Sequence, residues 1–119
     1  MTQQEPPRYA PGLADAGAQL AQLRQVLALV EEMAGRASLS PRDDALDEAA
    51  RISAAYARAL PIDQKRFDNL ASEIARWAKA GVEALLKLDD AGMPVRAAAE
   101  RLADELEKGL AALARRLPG

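Results

Sequence analysis

The chain has 119 residues, half of them hydrophobic, with 16 basic and 18 acidic side chains and a formal net charge of −2. That length fits a single domain. Cysteine and histidine are both missing, which excludes a disulfide framework, a thiol nucleophile, an imidazole base, a zinc site of the usual Cys/His kind and the Glu-x-x-His di-iron pattern of helical bundles.

The charges are interspersed in sign and form no basic stripe, so no nucleic-acid partner is expected. The start of the chain lacks the basic and apolar regions of a signal peptide. Its longest apolar runs fall far short of the roughly 20 residues that span a bilayer, so no membrane span is expected. A cytoplasmic protein is the resulting expectation. Arginine outnumbers lysine twelve to four, which together with abundant alanine suggests a GC-rich, bacterial source.

Residues 1–10 are polar and broken by Pro6 and Pro7, which predicts a flexible N-terminal tail. Residues 11–119 are expected to form one helical domain. From Pro11 onward, Leu13, Ala16, Leu20, Leu23, Leu27, Val30 and Ala34 recur at alternating steps of three and four, a heptad seam that predicts a helix over 11–36. Gly35 is positioned to close it. Beyond the seam this helix carries Val26, Leu29 and Met33. With Leu27 at zero they fall near −100°, −160° and −120° on the helical wheel. The second half of the helix is therefore apolar around most of its circumference. Either it is the most buried helix of a monomer, or Val26, Leu29 and Met33 form a protein interface. The second is favoured, because Leu29 lies among Gln22, Gln25 and Glu32.

Ser40, Pro41 and Asp43 read as the start of a second helix over 41–60. Its apolar stripe is Leu46, Ala49, Ile52, Tyr56 and Leu60. Pro61 interrupts the pattern, and Asp63 is the expected cap of a third helix over 63–89. Ile62 and Phe67 then occupy the two positions of a hydrophobic staple. Phe67, Leu70, Ile74, Trp77, Gly81, Leu85 and Leu88 supply the buried face. Lys65, Asn69, Ser72, Arg76, Lys79, Glu83 and Lys87 supply the wet one. Gly92 and Pro94 mark the last boundary, before a helix over 94–117 with Val95, Ala99, Leu102, Leu106, Leu110, Leu113 and Leu117 inward. No segment alternates like a strand. Short connections favour antiparallel neighbours, so the expected fold is all-α, an antiparallel up-down four-helix bundle. Gly17, Gly81 and Gly109 fall inside helices, where each costs about 1 kcal/mol relative to alanine; close helix packing or a local bend is the expected reason, and packing is favoured for Gly81, which lies on the apolar face.

Acid–base chemistry would have to come from carboxylates. Adjacent pairs such as Glu31–Glu32 and Asp89–Asp90 point about 100° apart on a helix and share no site. Asp44 with Glu48, and Glu100 with Asp104, lie one turn apart, but hard cations gather more oxygen ligands than two. No metal, no cofactor and no catalytic residue is therefore assigned, and the chain is read as a non-enzymatic interaction or adaptor bundle that forms a homodimer. Two alternatives are an amphipathic coat on lipid or apolar granules, and a bundle binding a small apolar ligand in a pocket beside Tyr56 and Trp77.

Overall fold

The computed structural model describes residues 16–36 and 42–117, with side chains from residue 47 in the second stretch. The expected tail over 1–10, the helix start at Pro11 and the capping roles of Ser40, Pro41 and Asp43 lie outside what is described. Among the described residues there are four helices and no strand: α1 (Ala16–Met33), α2 (Arg42–Arg58), α3 (Pro61–Asp90) and α4 (Arg96–Arg115). They form an antiparallel four-helix bundle.

The seam read from the sequence is the core of α1. Leu20, Leu27, Val30 and Ala34 are at most 4% exposed. Helix α4 answers with Ala99, Ala103, Leu106, Leu110 and Leu113, all within 1% of full burial. At roughly 1.5–3 kcal/mol per buried large apolar side chain, these two stripes carry much of the driving force for folding. Helix α1 is central and packs on α2, α3 and α4. Helix α2 rests chiefly on α1. It meets α3 near their shared turn, where the Tyr56 and Phe67 rings sit edge to face, 5.6 Å between centroids.

Both glycine stops form as expected. Gly35 and Gly92 adopt φ of 76° and 73°, a region that costs a side-chain-bearing residue about 1–2 kcal/mol. The Arg36 amide then reaches the Glu31 carbonyl at 2.8 Å, and the Met93 amide reaches Leu88 at 2.9 Å. These are Schellman closures of α1 and α3. Arg96 of α4 donates from Nε to the Ala34 carbonyl at 3.2 Å, satisfying a further acceptor at the end of α1.

The start of α3 differs from expectation. Leu60, at φ −66° and ψ 151°, is the cap, and Pro61 opens the helix. The proline has no amide to leave unpaired and its fixed φ is already helical, so it outcompetes a side-chain cap three residues on. Asp63 lies inside the first turn instead, where its charge still opposes the helix dipole. The staple is consequently lost: Ile62 turns outward at 53% exposure while Phe67 is fully buried. Helix α4 likewise begins after Pro94, with Val95 as its cap.

The three internal glycines sit at close helix contacts. A Cβ on Gly17 would collide with the Ala49 carbonyl of α2, and one on Gly81 would lie 2.8 Å from Leu102 Cδ2 of α4. A Cβ on Gly109 would lie 3.2 Å from Ile74 Cδ1 and 3.3 Å from Trp77 Cζ2. The Gly17 amide donates across the contact to Ser53 Oγ at 3.1 Å.

Candidate interaction face between α1 and α3

Helices α1 and α3 both run antiparallel to α4. The end of α1 meets the start of α4 through Arg36–Asp104 at 2.9 Å and Arg96–Ala34. On α3, Gly81 faces Leu102 and Ile74 faces Gly109. Helices α1 and α3 are therefore parallel to each other, and they are not tightly packed. Between them runs an open groove of about 490 Å³, with Leu23, Val26 and Leu29 on one wall and Ala75, Ala78 and Val82 on the other. Gln22, Gln25, Lys79 and Glu83 complete the lining.

The residues singled out on α1 divide between core and surface. Val26 and Met33 are half-buried and pack against the hydrophobic core. Leu29 is 45% exposed on the groove rim. The wide apolar face of α1 thus has two causes: the helix is central, and a strip of it faces the groove.

The sequence reading left out the α3 wall. Ala75, Lys79, Val82 and Leu86 follow the spacing four, three, four, the same as Gln22, Val26, Leu29 and Met33 on α1. Leu86 is 48% exposed, one turn beyond Val82. A second apolar stripe outside the Phe67–Leu85 core face was the available signal. Placing Lys79, Glu83 and Lys87 together on a wholly wet face concealed it.

Tyr56 and Trp77 have different neighbours. Tyr56 is fully buried against Phe67, and its hydroxyl donates to Asp68 Oδ2 at 2.7 Å. Trp77 lies farther along α3, where it packs beside Gly109 of α4. Phe67 and Trp77 are about ten residues apart on one helix, ~15 Å along its axis. Ring size alone had suggested a shared site.

Two arginines, Arg24 and Arg36, are held in ion pairs. Arg24 of α1 grips Glu48 of α2 through Nε and Nη2 at 2.9 and 2.7 Å. Those hydrogen bonds raise the guanidinium pKa above its already high ordinary value. Arg36 bonds Asp104 at 2.9 Å and lies 3.5 Å from Glu107. Glu48 and Asp104, each a member of a carboxylate pair considered above, are thus engaged by arginine. Among the described residues no group of three potential metal ligands occurs, and no helix is long and apolar enough to cross a membrane. No protein-family model, curated protein or solved structure matches the chain.

Proposed function

We propose that this chain is a non-enzymatic helical-bundle interaction module that works in the cytoplasm as an adaptor or regulatory subunit and self-associates through the α1–α3 face. The observation that supports it is the groove itself. Leu29 and Leu86 are 45% and 48% exposed beside a cleft walled by Val26 and Val82, and leaving such side chains in water forgoes about 25 cal/mol for each Å² of apolar surface. Light scattering on the full chain at high micromolar concentration tests the proposal. A dimer that Leu29→Glu converts to monomer is the expected result. A monomer indifferent to Leu29→Glu rejects it.

A second reading, a surface-coating protein on lipid or apolar granules, draws on the α2–α3 turn. Leu60 and Ile62 are 65% and 53% exposed there, next to the exposed cations Arg58, Lys65 and Arg66. A basic rim around apolar side chains suits an anionic surface, at about 1 kcal/mol per cation. Flotation with anionic liposomes at low salt distinguishes the two, since only the coat reading expects the protein to rise with the vesicles.

A further inference from the structure

The partner on the α1–α3 face follows from its register and charge. Arg96 of α4 meets Ala34 of α1, and Leu102 of α4 meets Gly81 of α3. Arg96 and Leu102 are separated by about six residues, ~9 Å of helix. Stepping back the same distance from Ala34 places Gly81 level with Ala28. The stripe Gln22, Val26, Leu29, Met33 is centred between Leu27 and Ala28. The stripe Ala75, Lys79, Val82, Leu86 is centred between Ala80 and Gly81. Both stripes share one midpoint. A four-three-four spacing reads the same in either direction, so each stripe matches itself when reversed.

Charge supplies the second constraint. Lys79 and Glu83 both line the groove, both are exposed, and neither makes an ion pair among the described residues. They flank Gly81 symmetrically, one turn apart, and Gly81 lies within half a residue of the common midpoint. A two-fold axis crossing α3 at right angles at Gly81 brings Lys79 of each copy opposite Glu83 of the other. To within half a residue, ~0.75 Å of helix, the same operation lays Leu29 over Val26 of the second copy and Leu86 over its Ala75.

We infer that the occupant of the groove face is a second copy of this chain, docked antiparallel about that axis, with two Lys79–Glu83 pairs setting the register. This rests on the self-association proposed above and adds the geometry. An isologous contact of this kind requires one patch to be complementary to itself.

The test is charge reversal in the full chain, read by sedimentation. Lys79→Glu and Glu83→Lys each juxtapose like charges twice, and each is expected to weaken the dimer about tenfold or more at low salt. Mixing the two variants, or combining them in one chain, restores opposite charges across the axis and is expected to recover wild-type affinity. Helical circular dichroism and the thermal midpoint confirm that each variant folds. A second measurement uses the missing cysteines. Val82→Cys lies near the axis and is expected to form a disulfide with its own copy. Leu86→Cys lies ~15 Å along the axis from its mate and is not, because bridged Cα atoms must approach within about 7 Å. A dimer insensitive to both reversals, one not rescued by mixing, or one cross-linked by Leu86→Cys instead of Val82→Cys overturns this geometry and leaves self-association standing. A monomeric wild-type chain overturns both.

Discussion

The Arg24 guanidinium of α1 and the Glu48 carboxylate of α2 meet in a bidentate pair at 2.9 and 2.7 Å, with side chains only 30% and 22% exposed. Two parallel N–H···O bonds fix the relative rotation of the two helices as well as their spacing. Helix α2 leans mainly on α1, so this pair and the Gly17–Ser53 contact hold most of its length, while the Tyr56 contacts with Phe67 and Asp68 of α3 hold its end.

The pair predicts a measurable coupling. A double-mutant cycle with Arg24→Met and Glu48→Gln should give an interaction of about 0.5–1 kcal/mol by chemical denaturation, at the upper end for a partly exposed pair. Hydrogen bonding to Glu48 raises the arginine pKa. The stabilisation linked to the Arg24 proton is therefore complete at neutral pH and fades as pH climbs through that raised value in strong alkali.

Gly17 and Gly81 should respond differently to alanine. At Gly17 the new Cβ meets the Ala49 backbone carbonyl, which cannot turn aside. Gly17→Ala is expected to destabilise by about 1–3 kcal/mol through overpacking. At Gly81 the obstacle is the end of the Leu102 side chain, which has rotamer freedom. The gain of about 1 kcal/mol in helix propensity offsets the clash there. Gly81→Ala should leave the denaturation midpoint nearly unchanged.

Tyr56→Phe isolates the hydroxyl that donates to Asp68 at 2.7 Å. Ring packing on Phe67 is kept, so the loss should be about 1–3 kcal/mol, the cost of removing one partner of a buried hydrogen bond. Phe67→Ala removes the other ring at a fully buried position and should cost about 3–5 kcal/mol. Thermal unfolding of the two variants ranks them.

Gly92→Ala tests backbone strain alone. Nothing lies within 4 Å of a Cβ at that position, and φ is 73°. The expected loss is about 1–2 kcal/mol. Gly92→Asn should recover part of it, because asparagine tolerates the left-handed region better than alanine does.

Much of the fold was legible because periodicity is a local property. Leu20 to Ala34 on α1, Ala99 to Leu117 on α4, and the two glycine stops follow from spacing and from the special conformation glycine allows. The Leu60 cap was harder to read. Two local signals, Asp63 and Pro61, competed for the same helix start, and the proline prevailed. Tyr56 and Trp77 could not be placed relative to each other from sequence, since their separation depends on which rung of the bundle each occupies. The groove was half legible: Leu29 stood out among glutamines, but Val82 and Leu86 acquire meaning only when α3 is set parallel to α1. Ala71 and Ala78, buried at 3% and 1%, were likewise absent from the expected stripe of α3. A small residue gives no hydrophobic signal strong enough to show which side of a helix it takes.

The position of α1 at the centre of the bundle has a consequence for how the chain folds. Its apolar seam is covered chiefly by α2 and α4, and α4 is the last of the four described helices. The contacts that tie them, Arg36 to Asp104 and Arg96 to the Ala34 carbonyl, span sequence separations of 68 and 62 residues. A nascent chain emerging from the ribosome would therefore carry a partly bare α1 until α4 had been synthesised. Helical hairpins can flicker early, yet loop closure between the first helix and the last gates the finished core. Cooperativity in this bundle belongs to its two ends in sequence, which meet as neighbours in space.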